Sequence, residues 1–216
     1  MKSGESGQRE MILQVATRLF AALGYDGTST RQIAEAVGLN VATVSYHVGS
    51  KRELYLAVMD RAFRAFADEL EDAAGELTAA PGEAKAVALH RLLDRYIDFC
   101  AAHPEFPALW MHRWLSDASD VSGLEPVYVQ PLAQSVIDSI APLNVGDADL
   151  DFTVISMIWC IHSFVQSGVY DKSGERQGPE NPRALARFRA HMHTMIHRTL
   201  GLPGEPPSVE ESTRSE

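Results

Sequence analysis

Apolar positions recur at helical spacing from residue 12 onward. Ile12, Val15, Ala16, Leu19, Phe20 and Leu23 follow i, i+3, i+4, i+7, i+8, i+11, which places them on one face of a helix. Gly24 is expected to end that helix, and Tyr25-Asp26-Gly27-Thr28 reads as a turn. Ser29 with Gln32, and Ser50 with Glu53, have capping-box spacing, and Asn40 is a further N-cap candidate just beyond Gly38. Gly38 suits the left-handed residue that ends one short helix and turns the chain into the next within about two residues. In that next helix Val44 and Val48 lie four apart and face inward, leaving Ala42, Thr43, Ser45, Tyr46 and His47 nearer the outer face. Two short helices joined by so tight a glycine turn are the helix-turn-helix signature, whose second helix can enter a DNA major groove.

The pattern stays helical beyond this head. A fourth helix is predicted from about Lys51 into the Glu69–Glu76 region, a fifth over about 83–102, a sixth over about 105–118, and a seventh over 125–140 with a bend at Pro131. Asp147 or Asp149 caps the eighth, expected to reach Tyr170. DKSGERQGPENP is expected to be a loop, and Asn181-Pro182 opens the ninth helix, which ends at Gly201. The prediction is an all-α chain of about nine helices. Residues 1–52 form a DNA-binding head, 53–200 an effector-binding and dimerisation body, and 201–216 a Pro, Ser and Glu rich tail of disordered composition. The fourth helix is the expected sole covalent link from head to body.

Small residues at the start of the 41–48 helix let a backbone approach base edges, while hydroxyls and an imidazole can bond to phosphates or bases. Lys51, in the first turn of the next helix, adds a positive charge beside N-terminal amides, which suits a phosphate oxygen. The competing reading of the same spacing is a packing corner of a helical protein, with Tyr46 half-buried and the polar groups solvated.

ATRLFAALGYDGTSTRQIAEAVGLN followed by ATVSYHVGSKREL resembles the N-terminal domain of the TetR/AcrR family of transcriptional regulators, over about residues 9–60. The resemblance implies an all-helical homodimer that binds a palindromic operator in double-stranded DNA and releases it when a small molecule enters the C-terminal body. It implies that Thr30 and Arg31 open the helix that straddles the DNA backbone. Asn40, Val41, Ala42, Thr43 and Ser45 then face the bases, and Tyr46, His47 and Lys51 hold phosphates. Two positions depart from the family pattern. Ser45 stands where many members carry an aromatic, and Val48 where a Phe is usual.

Charge fits a chain in two parts. The formal net charge is −10, which looks wrong for a DNA binder until it is divided. Residues 1–52 carry six Lys or Arg against four Asp or Glu, and the remainder thirteen against twenty-five. The head is thus mildly basic and the body acidic. MKSGESGQRE lacks the apolar run of a secretory signal, and the apolar run 152–165 is too short to span a bilayer. Cys100 and Cys160 stand singly, as small hydrophobes in a reducing compartment rather than a disulfide or zinc framework. A cytoplasmic location and no membrane partner are expected.

The eighth helix carries Phe152, Val154, Ile155, Met157, Ile158, Trp159, Ile161, Phe164 and Val165, leaving almost no polar face. The ninth repeats Leu185, Phe188, Met192, Met195 and Ile196 at 3–4 spacing. A homodimer through about 148–170 and 182–200 is therefore expected, against the plainer reading of a buried core helix. Trp110, Met111 and Trp114, with Met157 and His162, are candidates to line an apolar cavity for an effector of unreadable chemistry, though each alone is better explained by the core. His191, His193 and His197 are expected on the exposed side of the last helix, with no metal site. No cofactor is implied, and no catalytic motif sits in a recognisable setting. A ligand-sequestering protein with a vestigial head is the alternative function.

Overall fold

The structure, a computed structural model, describes residues 2–115, 118 and 121–207. Its elements run α1 (Lys2–Gly27), α2 (Thr30–Ala36), α3 (Val41–Val48), α4 (Lys51–Ala79), α5 (Gly82–Ala102), α6 (Glu105–Trp114), a π-turn (Glu125–Val129) continuing into α7 (Gln130–Ile140), α8 (Leu150–Ser167), a hairpin of β1 (Val169–Tyr170) and β2 (Arg176–Gln177), and α9 (Pro182–Leu200). The all-α class holds. Of the tail 201–216 expected to be disordered, residues 201–207 are described and pack, with Leu202 buried and the Gly204 carbonyl 3.1 Å from His197 Nε2, while 208–216 lie outside the described residues.

The chain packs into two compact units. One comprises Met1–Phe66 with Glu105–Gly123, the other Ala67–Pro104 with Leu124–Glu216. The division falls inside α4 and not at residue 52, and α6 is grouped with α1, against which it packs. The backbone consequently passes between units three times, within α4 and on either side of the α6 segment. A linear reading cannot see this grouping, because α6 is remote from α1 in sequence.

In the first unit Ile12, Ala16, Phe20, Ile33, Val44, Val48, Leu54, Tyr55 and Met59 form the core. The α1 stripe stops one turn early: Leu23 is 46% exposed, while Leu13 is buried in addition to the predicted set. Gly24 breaks the helical dihedrals (φ 73°, ψ 174°), after which the chain makes one more turn to Gly27. The edge-on pair Phe20–Tyr55, with ring centroids 5.2 Å apart, and Tyr25–Tyr55 at 4.9 Å tie that turn to the first turns of α4.

In the second unit α5, α8 and α9 pack on one another, and α7 packs on α8. Phe164 of α8 stacks on Phe188 of α9 with centroids 4.1 Å apart. Asp149 caps α8, its carboxylate accepting from the Phe152 amide at 3.1 Å, and Asn181 caps α9 through the amides of Arg183 and Ala184. Two predicted boundaries are corrected. α8 stops at Gly168 (φ 64°), before the predicted Tyr170, and the expected loop folds into an antiparallel hairpin pairing Val169 with Gln177 and Tyr170 with Arg176. Asp171 gathers the Ser173 and Glu175 amides at the hairpin tip, a local bond pattern that mean polarity does not reveal.

The histidines of α9 are also corrected. His193 and His197 are buried and only His191 is exposed. The cause is a complementary pair of stripes at i, i+4, i+8: His90, Asp94 and Asp98 on α5, and Arg189, His193 and His197 on α9. Arg189 binds Asp94 at 2.7 Å and also Asp98, and His193 binds Asp94 at 2.8 Å. His90 meets both His193 and His197.

Candidate nucleic-acid interface

The outer face of α3 is set by three interlocking caps. The α2 cap is a full capping box: the Gln32 amide donates to Ser29 Oγ at 3.2 Å, and the Ser29 amide donates to Gln32 Oε1 at 2.7 Å. Gly38 (φ 69°) then lets the Leu39 amide reach the Ala34 carbonyl at 2.9 Å, so the chain reverses into α3 without a linker. Asn40 Oδ1 accepts from the Thr43 amide at 2.8 Å and from the Thr43 hydroxyl at 3.0 Å. Gly49 (φ 75°) joins α3 to α4, where the Glu53 carboxylate accepts from the Ser50 amide and hydroxyl, each at 2.8 Å. Those two bonds, the amide first, hold the Glu53 carboxyl below its ordinary value.

With Val44 and Val48 buried, α3 turns the rest of its surface outward. Asn40, Val41, Ala42 and Ser45 are exposed, Thr43 and His47 half-buried, and Tyr46 is 77% exposed, which removes the packing-corner reading for that ring. The Tyr46 and His47 rings meet edge-on at 5.2 Å. Thr30 is half-buried at the start of α2. Arg31 is exposed and pairs with Glu35 at 3.0 Å, a contact worth little in water and readily exchanged for a phosphate. Lys51 Nζ lies 4.1 Å from the centre of the Tyr25 ring, half-buried at the opening turn of α4. Thus α2, α3 and the start of α4 carry all ten predicted positions on one continuous stretch.

Residues 12–58 match the family described as bacterial regulatory proteins, tetR family. That stretch of the chain is similar to the tetR family. The chain is 31% identical over 101 residues to the transcriptional repressor KstR2 of Rhodococcus jostii, covering 47% of this chain and 48% of that protein. To the class D tetracycline repressor of Escherichia coli it is 32% identical over 95 residues, 44% of each chain. The chain thus spans about half the length of these curated relatives. Two solved structures share the fold over most of their length. AibR in complex with isovaleryl coenzyme A and operator DNA superposes with a TM-score of 0.63 at 15% identity, over 85% of this chain and 97% of that one. The ketosteroid regulator KstR2 of Mycobacterium tuberculosis gives 0.64 at 16%, over 91% and 95%.

The predicted effector residues fall in both units. Trp110, Met111 and Trp114 lie in the same unit as the head, with the two indoles 5.9 Å apart, whereas Met157 and His162 belong to the other unit. His162 is buried and bonded to the Tyr96 hydroxyl at 2.7 Å. Burial pushes its pKa down to about 3, so it stays neutral. An open cleft elsewhere is lined by Thr78, Lys85, Pro131, Gln134, Ser135, Asp138 and Ser139, none of them a predicted effector residue. Its lysine is occupied in donating to the Leu77 carbonyl at 2.7 Å. Sequence reading missed the polar zipper between α5 and α9, although its signal was present as two stripes of four-residue spacing. Among the described residues no helix is long and apolar enough to cross a membrane.

Proposed function

We propose that this chain is a homodimeric transcriptional repressor that binds a palindromic DNA operator and is released from it by a small-molecule effector. The observation that carries the reading is the outer face of α3. It is capped at its start by Asn40, held from beneath by Val44 and Val48, and presents Ala42, Thr43, Ser45 and Tyr46 to solvent. A helix so supported can enter a major groove with its N-terminal residues on base edges, while Tyr46, His47 and Lys51 reach phosphates. Thr30 and Arg31 meet the backbone from α2. Trp110, Met111, Trp114, Met157 and His162 are retained as candidate effector contacts, with members in both units. Two similar proteins, a repressor and a regulator in complex with isovaleryl coenzyme A and operator DNA, support the class of function and leave this chain's own effector open. Selection of genomic fragments by the purified protein tests the proposal. Recovery of a common inverted repeat with half-sites about 34–36 Å or a multiple apart is expected. Fragments with no shared sequence would overturn it.

A further inference from the structure

The histidines buried between α5 and α9 form a chain of hydrogen bonds that can be counted proton by proton. From one end, His197 Nε2 meets the Gly204 carbonyl at 3.1 Å, and His197 Nδ1 meets His90 Nε2 at 3.3 Å. His90 Nδ1 then meets His193 Nδ1 at 2.8 Å, and His193 Nε2 meets Asp94 Oδ1 at 2.8 Å. Both ends of this chain are acceptors, a carbonyl and a carboxylate. Four hydrogen bonds between two terminal acceptors need four protons, and three neutral imidazoles bring three. If all three were neutral, the outer bonds would fix His197 and His193 as Nε2–H tautomers and His90 would donate from Nε2. Two nitrogen lone pairs would then face each other between His90 and His193. One added proton removes the conflict, because the Nδ1–H of a doubly protonated His193 then donates to His90 Nδ1.

We propose that His90, His193 and His197 form a one-proton latch between α5 and α9: the trio holds a single proton beyond three neutral imidazoles, and its loss opens the contact between His90 and His193. The surroundings place the charge. On α5 the facing ionisable groups besides His90 are Asp94 and Asp98; on α9 they are Arg189, His193 and His197. α8, packed on both helices, brings His162, which is engaged with Tyr96, and the segment after α9 brings the Gly204 carbonyl, followed by Glu205. Burial raises Asp94, but the hydrogen bonds from His193 and Arg189 outweigh it and hold the carboxyl at about 2, so the proton is not on Asp94. Burial, and then the neighbouring His193 and His197, push His90 down to about 4, so the proton is not there either. The bond count needs the added proton where His193 Nδ1 faces His90 Nδ1 at 2.8 Å, and the Asp94 carboxylate 2.8 Å from His193 Nε2 favours His193 as its holder. The nitrogens do not converge on one point, since His90 offers opposite edges of its ring to its two neighbours. A tetrahedral metal would need them to converge.

The sign of the pH dependence follows. Free imidazoles release their protons near pH 6.5. A folded state that keeps one above that pH binds more protons than the unfolded chain, so stability falls as pH rises through the point of release. The test is a long-range proton–nitrogen correlation spectrum of the full-length protein at pH 7.5. One of the three imidazoles with both nitrogens protonated, and His90 neutral, is the expected result; three neutral imidazoles, or two charged ones, overturn the latch. A second measurement compares melting temperature from pH 7 to 9.5 in the native protein, in His193→Gln and in His191→Gln. The native protein and the His191 variant should share a downward slope that His193→Gln lacks, and equal slopes in all three would refute the latch. Stoichiometric zinc that raised the melting temperature and expelled the extra proton would also overturn it, in favour of a metal site.

Discussion

Thr43 shows how far one side chain's bonding restricts what the head can read. Its hydroxyl hydrogen is given to Asn40 Oδ1, so toward a base it presents an acceptor. That suits the exocyclic amine of adenine or cytosine and not the carbonyls of guanine or thymine. Thr43→Val keeps the shape and removes the acceptor, and should relax the preference at one operator position by about 1–3 kcal/mol in a competition assay. Lys51 works differently. Its ammonium rests over Tyr25 at 4.1 Å beside the N-terminal amides of α4, where a phosphate oxygen is favoured whatever the sequence. Lys51→Ala should weaken all sequences about equally and flatten the slope of log affinity against log salt by about one. An unchanged slope would remove Lys51 from the interface.

Elements were legible wherever a local rule decided them. The capping boxes at Ser29 and Ser50, the Asn40 and Asn181 caps, and the Val44–Val48 inward pair could be read because each depends on residues within four positions. The hairpin after α8 could not, and the burial of His193 only by matching two stripes remote in sequence, because long-range partners decide them. Gly168 marks that boundary: at φ 64° a Cβ would lie 2.6 Å from the Gln177 carbonyl oxygen. Gly168→Ala should therefore destabilise the protein by more than the roughly 1 kcal/mol of a left-handed alanine alone, read as a lower denaturant midpoint. Packing of α5 on α8 also sets an acid limit through His162. Its folded pKa of about 3 lies below the free value of 6.5. As pH falls below 6.5 the unfolded chain gains a proton that the folded chain refuses, and stability declines down to about pH 3. His162→Gln, which can still bond Tyr96, should flatten the fall in denaturant midpoint between pH 7 and 5.

At the scale of the whole molecule the question is what covers α8. The sequence suggested a helix apolar all round. The structure divides it into a face inside the protomer, with Met157, Ile161, Phe164 and Val165 buried, and a stripe left outside. Phe152 is 70% exposed, Ile155 and Trp159 are half-buried at the following turns, and Ser156 and Ser163 continue the line. Phe164 and Ile196, which sequence spacing would place at a seam, both lie in the protomer core, so a charge at either would unfold the chain and say nothing about assembly. Phe152 is the residue that separates the two effects. Under twofold symmetry each interface would hold two copies, and burying a Phe is worth about 1.5–3 kcal/mol. Phe152→Asp should then weaken a dimer by roughly 3–6 kcal/mol, or about two to four decades in Kd, while leaving the protomer's melting profile near native. Sedimentation equilibrium at micromolar concentration measures the first and calorimetry the second. The DNA then gives an independent reading, because a dissociated variant should lose its advantage for paired half-sites and bind each separately. A native protein that sediments as a monomer would leave Phe152 exposed for another reason and remove the paired-groove geometry on which operator recognition was argued.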